Sequence, residues 1–309
     1  MTSQTLLYRS MRVPAGRTGA AVNLRPRALG WDYIHFAVRH LASGAVWSGR
    51  TGREERCVVL LRGRFSVNWG GGPHRVGPRT DVFAGYPHAV YLPAGTVFHI
   101  VAERPCEVAD CRASTPASSR RPSSSIASSS PARLDPRVIR PEDCGFEIRG
   151  GGNATRQIVD IMPPGFPAHR LMICEVFTPG GNWSSYPPHK HDTDDPPWEA
   201  DLDEIYYYRF RDPGGYGFQR VYTRRRDETL RVVHGDVVAI REGFHPFVTA
   251  HGYDAYYLNV LAGERRSMAA SDDPAHARFR QEWPPPDPRL PMVPRSACPE
   301  GSRSVESGR

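Results

Sequence analysis

This chain of 309 residues carries a formal net charge of +7 at pH 7, and 39% of its residues are hydrophobic and 24% charged. The length is enough for two domains of ordinary size, and the composition is that of a soluble globular protein. It contains no apolar run of membrane-spanning length, so we expect no membrane partner. The first residues show no basic region followed by an apolar core, so no signal peptide is predicted.

The basic excess, with a sequence pI near 9.2, is compatible with an anionic substrate or with nucleic acid. No recognition-helix pattern, zinc finger or RNP-like motif accompanies the charge, so we expect no nucleic-acid partner. The cysteines form no CxxC pair, which predicts free thiols in a reducing cytoplasm rather than a disulfide framework. The six cysteines are Cys57, Cys106, Cys111, Cys144, Cys174 and Cys298.

The elements predicted along the chain are almost all strands. Thirty prolines and 29 glycines argue against long helices. Short β-favouring runs alternate with Gly- and Pro-containing turns, as in a β-sandwich or barrel, and one short helix is predicted near residues 274–282. The β-favouring runs are residues 34–41, 56–61, 65–69, 81–83, 89–92, 96–101, 146–149, 157–161, 171–177, 205–208, 217–222, 229–233, 236–240 and 255–261.

Two stretches lack the apolar residues that a packed core requires. Residues 113–134 form a low-complexity run of Ser, Pro and Arg, which predicts a flexible linker. Residues 291–309 are polar and predict a disordered tail. The predicted organisation is therefore an N-terminal β domain over residues 1–112 and a C-terminal one over residues 135–290.

The pattern with the clearest chemistry is a His-x-His pair, His189 and His191, in the second β domain. Alternate side chains of a strand point to the same side, so this spacing directs both imidazoles towards one point. Glu204 opens the next β-favouring run, and His245 lies in a turn between Gly and Pro. Three imidazoles and one carboxylate suit a divalent first-row metal ion. A His-x-His pair alone also arises by chance, so the prediction depends on the whole arrangement.

Six segments carry a family resemblance: residues 150–157, 179–192, 203–210, 217–222, 235–238 and 252–263. Together they resemble the 5-deoxy-glucuronate isomerase family of myo-inositol catabolism. That family is similar to bicupins, which implies an all-β fold of two tandem cupin barrels (double-stranded β-helix or jelly-roll) with few short helices. The metal motif of cupins, His-x-His, Glu and a later His, falls here on His189, His191, Glu204 and His245.

The resemblance also bears on the choice of ligands. The interval between His191 and Glu204 is longer than in the general cupin motif, so Glu199 and Asp203 are rival carboxylates. Glu204 is preferred because it enters the strand that matches the family. The N-terminal barrel has no His-x-His pair, so we expect no metal there, and we interpret His99 as a structural residue.

The implied reaction is the aldose–ketose isomerisation of 5-deoxy-D-glucuronate to 5-dehydro-2-deoxy-D-gluconate, in the cytoplasm. One divalent metal ion per chain, Zn²⁺ or Mn²⁺, would polarise the carbonyl and stabilise an enediolate without a change of redox state. The group that moves the proton is left open among Tyr206, Tyr208, Tyr222 and a metal-bound hydroxide. Each tyrosine has an alternative as a hydrogen-bonded core residue.

A small anionic sugar-acid substrate requires a cation, and the guanidinium group of arginine fits a carboxylate with two hydrogen bonds. The candidates for substrate binding are Arg156, Arg209 and Arg220, each of which could instead be a surface residue. Lys190 alternates with the two histidines and is therefore expected to face away from the metal.

Two other functions are compatible with these residues. The ligand set could belong to an iron-dependent dioxygenase, or the chain could be a sugar-binding bicupin without catalysis. The resemblance to the isomerase family extends beyond the metal ligands, which disfavours the dioxygenase. The ligand set is intact, which disfavours the non-catalytic protein. Exposed barrel edges are compatible with a homodimer, but the sequence leaves the oligomeric state open.

Overall fold

The structure is a computed structural model that describes residues 6–115 and 134–295. Most of the predicted linker, and the predicted tail from residue 296 onwards, lie outside the described residues. Within these limits the chain forms 21 strands, a single-turn α-helix and three short 3₁₀ helices. The prediction of an all-β fold with few short helices is therefore confirmed.

The bounds of the elements are as follows. The first part contains β1 (Leu7–Tyr8), β2 (Gly19–Leu24), α1 (Pro26–Leu29), β3 (Ile34–Leu41), β4 (Val46–Arg50), β5 (Glu54–Asn68), β6 (Pro73–Arg79), β7 (His88–Leu92), β8 (Val97–Ser114) and β9 (Arg137–Ile139). The second contains β10 (Gly145–Arg149), β11 (Arg156–Met162), β12 (Leu171–Thr178), β13 (Trp183–Ser184), β14 (His189–Lys190), β15 (Asp203–Phe210), β16 (Tyr216–Tyr222), β17 (Asp227–Val233), β18 (Val237–Ile240), β19 (Phe247–Thr249), β20 (Ala255–Ala262) and β21 (Ser271–Asp272). The 3₁₀ helices are Val82–Ala84, Pro141–Asp143 and Ala277–Arg280.

The N-terminal barrel is built around two long antiparallel strands, β5 and β8, which pair along most of their length. β3 and β2 extend the sheet beside β8, and β7 and β9 extend it beside β5. β4 and β6 pair with the far halves of β8 and β5. Alternate side chains, such as Val58 and Leu60 on β5, are buried in an apolar cluster that fills the interior.

The C-terminal barrel consists of a seven-stranded sheet packed on a four-stranded sheet. The larger sheet has the order β1-β18-β15-β20-β12-β11-β10, and the smaller has the order β13-β19-β16-β17. Their inner faces meet in a buried cluster, in which Tyr208 and Tyr257 of the larger sheet pack near Val221 and Phe247 of the smaller one. The alternation of buried and exposed residues along β16 and β17 follows from this packing.

Each barrel is extended by a strand from the other part of the chain. Leu7 and Tyr8 of β1 pair with β18 of the C-terminal barrel. β9, which follows the predicted linker, pairs with β7 of the N-terminal barrel. These short strands satisfy the backbone groups of two sheet edges. Because β1 belongs to the C-terminal barrel and β9 to the N-terminal one, the boundaries of the two barrels differ from the predicted 1–112 and 135–290. Both strands are too short to show a period in the sequence.

A shared core joins the two barrels. Side chains of both, among them Phe36 and Tyr207 with ring centroids 5.9 Å apart, belong to one continuous buried cluster. The buried guanidinium of Arg79 donates to both carboxylate oxygens of Glu175, each at 2.7 Å, and Tyr256 donates to the same carboxylate. A charge pair buried between the barrels requires this full set of partners.

The C-terminal end of the described chain is ordered beyond the predicted start of the tail. Val293 is buried, and its backbone N–H and carbonyl bond with the side chain of Gln157 at 3.1 and 3.0 Å. The helix predicted near residues 274–282 is a single 3₁₀ turn, Ala277–Arg280. No helix in the described parts of the chain has the length and apolar character needed to cross a membrane.

The five cysteines within the described residues are all free thiols and all buried. This agrees with the predicted absence of a disulfide framework for those five. Cys298 lies outside the described residues.

Candidate active site

The four side chains predicted as metal ligands come from three neighbouring parts of the C-terminal barrel. His189 begins β14, His191 follows that strand, and Glu204 is the second residue of β15. His245 lies in the turn between β18 and β19, two residues after Gly243. Gly243 has a φ of 91°, and a β-carbon there would lie 2.5 Å from a backbone carbonyl oxygen, so this turn requires glycine.

One carboxylate oxygen is the common neighbour of two imidazoles. Glu204 Oε2 lies 2.9 Å from His191 Nε2 and 3.1 Å from His245 Nε2. One ligand atom from each of these three residues lies within 4.8 Å of the others. The His189 ring centroid is 4.9 Å from that of His245 and 6.4 Å from that of His191. The structure thus brings the four residues together, with His189 at the edge of the group.

The hydrogen bonds of the histidines leave ring nitrogens available to a metal ion. Nδ1 of His245 is 2.9 Å from the Gly243 carbonyl oxygen, and Nδ1 of His189 is 3.3 Å from the Pro187 carbonyl oxygen. An imidazole that donates from Nδ1 presents a lone pair at Nε2. The buried Nε2 of His245 faces Glu204 Oε2 at 3.1 Å but makes no hydrogen bond within the described residues, and a cation shared by the two atoms would satisfy both. The residues therefore fit a metal ion.

Burial and charge oppose each other at Glu204. Burial alone would raise the pKa of Glu204, but His191 and His245 outweigh that effect and hold its pKa well below the usual value. Burial lowers the pKa of His189 well below its usual value, and the other two imidazoles add to that effect. An ionised carboxylate beside a neutral imidazole is a suitable donor set for a divalent first-row metal.

The two rival carboxylates are engaged elsewhere. Glu199 Oε1 accepts hydrogen bonds from Lys190 Nζ at 2.8 Å and from the Asp192 backbone N–H at 2.9 Å. Asp203 accepts a hydrogen bond from the Tyr33 backbone N–H at 2.9 Å, in contact with the N-terminal barrel. Both carboxylates lie outside the cluster, and Lys190 faces away from it.

The cluster adjoins a cavity of about 500 Å³. One face of the seven-stranded sheet forms much of its wall, because alternate residues of successive strands line it. Glu204 and Tyr206 contribute from β15, and Tyr257 and Asn259 from the adjacent β20. The same alternation continues on β12, β11 and β10. The cavity therefore combines the imidazole–carboxylate cluster with hydroxyl, amide and charged groups.

Arg156 is the predicted substrate-binding arginine that lies in this wall. It is buried, its Nη1 donates to the Tyr186 carbonyl oxygen at 3.1 Å, and it pairs with no carboxylate of the described residues. Burial lowers the pKa of Arg156 to about 10, which leaves it charged at neutral pH. A buried guanidinium that faces a cavity and has no carboxylate partner of its own suits an anionic ligand.

The other two predicted arginines are not brought to the cavity. Arg209 differs from Glu204 by an odd number of positions on β15, so it faces the N-terminal barrel, where it pairs with Glu107. Arg220 is on the exposed face of the smaller sheet, with Nη2 2.6 Å from Oδ2 of Asp227. Arg209 is therefore on the opposite face of the sheet that carries Arg156, whereas Arg220 belongs to the other sheet.

The three candidate tyrosines also occupy different places in the barrel. Tyr206 lines the cavity, and its hydroxyl lies 2.8 Å from Ser185 Oγ. Tyr208 shares the face of Tyr206 but lies deeper in the barrel core, where its hydroxyl is hydrogen-bonded to Gln219. Tyr222 is on the smaller sheet and is hydrogen-bonded outside the cavity. The structure places only Tyr206 of these three in the cavity wall.

Sequence reasoning missed several polar and charged residues of the wall, which are Glu147, Arg149, Asp160, Ser185, Tyr257, Asn259 and Arg280. Asn259 is buried, and its Oδ1 has no hydrogen-bond partner among the described residues. A signal for Asn259 existed in the sequence, since it is the one amide within the otherwise apolar and aromatic run 255–262. No sequence signal marked Ser185, because its position depends on a turn between two short strands.

The N-terminal barrel differs from the C-terminal barrel in the side chains that fill its interior. Within residues 6–115 and 134–295, the only group of three or more close His, Cys, Asp or Glu side chains is the one around Glu204. His99 is exposed on β8, and its Nδ1 lies 2.8 Å from Ser48 Oγ. The neighbouring residues Phe98 and Ile100 fill the interior instead.

A family model and individual relatives identify the same protein family for this chain. A sequence model of the KduI/IolB family matches residues 6–279. The chain is 41% identical over 266 residues to the 5-deoxy-glucuronate isomerase of Geobacillus kaustophilus, which covers 84% of this chain and 90% of that protein. It is 39% identical over 261 residues to the protein of that name from Bacillus subtilis strain 168, which covers 81% and 87%.

Solved structures agree with this result. The crystal structure of an IolB-like protein from Salmonella typhimurium LT2 has a TM-score of 0.80 and 35% identity, and covers 89% of this chain and 99% of that one. The oxalate decarboxylase of Lactobacillus farciminis has a TM-score of 0.60 with 12% identity over 88% of this chain and 89% of that one, which shows the fold alone. The prediction of tandem cupin barrels is confirmed, and the chain belongs to the KduI/IolB family.

Proposed function

We propose that this protein is a metal-dependent isomerase that converts 5-deoxy-D-glucuronate to 5-dehydro-2-deoxy-D-gluconate in myo-inositol catabolism. Relatives that cover most of the chain carry the name 5-deoxy-glucuronate isomerase. The observation that carries the proposal is the buried cluster of imidazoles around Glu204, in the wall of a cavity that also contains the unpaired guanidinium of Arg156.

His189, His191, Glu204 and His245 would hold one divalent metal ion. Bound there, the ion would polarise the carbonyl of the sugar and stabilise negative charge on its oxygen. We propose Zn²⁺ or Mn²⁺, because both accept imidazole and carboxylate ligands and the isomerisation requires no change of redox state. The fixed hydrogen bonds from Nδ1 of His189 and His245 would hold these rings in the orientation that ligation requires.

Arg156 would bind the carboxylate of the substrate. Its guanidinium can donate two parallel hydrogen bonds to a carboxylate. It lies three strands from Glu204 in the same sheet, yet its charge adds to the burial that lowers the pKa of His189. Arg156 lines the same cavity as His189, His191 and Glu204, so we propose that one six-carbon sugar acid contacts Arg156 and the imidazole cluster at the same time, with its aldehyde at the cluster.

Tyr206 is our candidate for a direct hydrogen bond to a reacting oxygen. It lies two residues from Glu204 on the same face of β15, and its ring centroid is 6.0 Å from that of His245. Its phenol can donate to the carbonyl oxygen as negative charge develops there. The group that removes the carbon-bound proton is a separate base, which the arrangement of side chains leaves unassigned.

A proton NMR time course of the purified protein with 5-deoxy-D-glucuronate tests this function. We expect the aldehyde hydrate signals to disappear, the chelated protein to be inactive, and Zn²⁺ or Mn²⁺ to restore turnover. Metal analysis of the purified protein would identify the native ion. No conversion by protein that demonstrably contains metal would sink the isomerase proposal.

The same assay separates the two alternatives. Consumption of oxygen with Fe²⁺ would favour a dioxygenase, and tight binding of the sugar acid without conversion would favour a non-catalytic bicupin. We further propose that the protein acts in the cytoplasm, where its buried thiols would remain reduced. The homodimer stays a prediction, which light scattering of the purified protein would test.

A further inference from the structure

Two serine–tyrosine pairs lie side by side next to the imidazole cluster. Ser185 Oγ is 2.8 Å from the Tyr206 hydroxyl, and Ser184 Oγ is 2.6 Å from the Tyr257 hydroxyl. The two tyrosine rings stack with centroids 4.5 Å apart, and all four residues are buried. Ser185 and both tyrosines line the cavity, whereas Ser184 does not.

The backbone of Ser185 is unusual. With a φ of 52°, Ser185 is the one non-glycine residue with a positive φ in residues 6–115 and 134–295. This conformation is unfavourable for a residue with a β-carbon, and such strain concentrates at functional sites. Successive side chains of a regular strand point in opposite directions, so a straight continuation of β13 would turn Ser185 away from Ser184. The left-handed turn instead lets both serines reach the stacked tyrosines.

The hydroxyl groups of Ser185 and Tyr206 contain two protons but share one short hydrogen bond. Each hydroxyl has one donor proton and two acceptor lone pairs. One further contact joins Ser185 Oγ to the Tyr257 hydroxyl at the longer distance of 3.4 Å, but that hydroxyl is already engaged with Ser184. The Ser185–Tyr206 pair can therefore direct one proton into the cavity and accept another from it.

We propose that Ser185 and Tyr206 act as a hydroxyl pair that moves the oxygen-bound proton during the isomerisation. This inference rests on the proposed function and adds Ser185 to it. The aldose-to-ketose conversion breaks a C–H and an O–H bond at carbon 2 and forms a C–H and an O–H bond at carbon 1. No oxidant or reductant is needed, and the carbon-bound proton is moved by the separate base.

The oxygen-bound proton follows a closed route through the pair. Tyr206 gives its proton to the carbonyl oxygen of carbon 1 and receives the proton of Ser185. Ser185 in turn takes the proton of the hydroxyl group on carbon 2, where the new carbonyl forms. The pair returns to its starting state, and neither hydroxyl carries a net charge at the end. Transfer between positioned groups of this kind replaces exchange with bulk water.

Ser185→Gly is the variant that separates the hydroxyl from the backbone strain, because glycine adopts a positive φ without steric cost. We expect the variant to keep the metal content and the thermal midpoint of the wild type, while kcat falls roughly 10- to 100-fold with little change in KM. Ser184→Ala is the matched control, since it removes a buried hydroxyl from the adjacent residue. It should keep the kcat of the wild type.

A double-mutant cycle shows whether Ser185 acts through Tyr206. Ser185→Gly should lower kcat in the wild-type protein but should cause no further loss in a Tyr206→Phe background, since either change disables the pair. Full kcat in Ser185→Gly, additive losses, or an equal loss in Ser184→Ala would each overturn the inference. Absence of turnover in metal-loaded wild-type protein would instead remove the isomerase function on which it rests.

Discussion

The two barrels each bury a carboxylate, but they surround it with different cations. In the N-terminal barrel, Asp110 on β8 is fully buried and pairs with Arg39, Arg56 and Arg112. The indole of Trp47 covers this network, with the guanidinium carbons of Arg39 and Arg56 at 4.7 and 5.3 Å from its ring centroid. Burial would raise the pKa of Asp110, but the arginines outweigh it and hold that pKa below its usual value.

In the C-terminal barrel, the buried carboxylate of Glu204 lies among imidazoles instead. A guanidinium group stays protonated and has no acceptor atom, so it cannot bind a metal ion. An imidazole can lose its proton and present a lone pair. Nε2 of His245 illustrates that difference, since it lies 3.1 Å from Glu204 Oε2 and makes no hydrogen bond within the described residues.

The comparison teaches that a buried carboxylate does not by itself make a site. Both carboxylates lie in cupin barrels, and each is hidden from solvent. The side chains around it decide whether the interior is a closed structural network or a set of available ligands. Four changes would break or sharpen this contrast, and they follow in order of expected effect.

Glu204→Gln should have the largest effect. Glutamine keeps the shape of the side chain but removes the charge that a metal ion requires. We expect loss of bound metal and a fall in turnover of roughly 10³-fold, which corresponds to about 4 kcal/mol. Metal analysis and the NMR assay would measure both. Glu199→Gln, in the rival carboxylate, should retain metal, and full metal content in Glu204→Gln would contradict our assignment.

Asp110→Ala should act on stability rather than on chemistry. It leaves three guanidinium groups without their shared carboxylate, so we expect the free energy of unfolding to fall by about 3–5 kcal/mol. Urea titration would measure this, and turnover per folded molecule should be unchanged. Asp227→Ala breaks the exposed pair with Arg220, which solvent screens, and should lower stability far less than Asp110→Ala. Equal costs for the two variants would show that the buried network has no special importance.

Arg156→Lys should weaken substrate binding. Lysine keeps the charge but loses the two-pronged donor geometry, so we expect KM to rise roughly 10- to 100-fold, the range of about 1.5–3 kcal/mol for a charged hydrogen bond. Steady-state kinetics would give KM and kcat separately. Arg220→Lys is the control, because Arg220 is exposed and paired outside the cavity. An unchanged KM in Arg156→Lys would place the substrate carboxylate elsewhere.

His88→Gln should have the smallest effect, visible as a change in pH dependence. Burial, assisted by Arg79, lowers the pKa of His88 on β7 from 6.5 to about 4. The unfolded chain therefore binds a proton more readily, so stability falls as pH drops from about 6.5 to about 4. After allowance for partial exposure, this loss is roughly 1–2 kcal/mol.

Urea titrations at pH 7 and near pH 4.5 would compare the wild type with His88→Gln. The variant should lose less stability than the wild type between the two pH values, with its turnover at pH 7 unchanged. An identical loss in both proteins would show that His88 does not contribute to acid sensitivity.

The sequence by itself determined the class of fold and the centre of the site. Strand patterns are local, so alternating side chains and Gly or Pro turns predicted an all-β chain without knowledge of its contacts. The spacing of His189 and His191 on one side of the chain, followed by Glu204 and His245, predicted a ligand set that the structure brings together. The segments around these residues also predicted the family to which the chain belongs.

Only the tertiary structure decided which other residues surround that centre. Arg156 and Arg220 both lie on strands, yet one faces the cavity and the other faces solvent, because their strands belong to different sheets. Ser185 reaches Tyr206 through a single left-handed residue, which no periodicity predicts. The tertiary structure also decided that β1 and β9 each pair with the opposite barrel. Pairing at a sheet edge depends on which backbone groups the rest of the fold leaves unpaired.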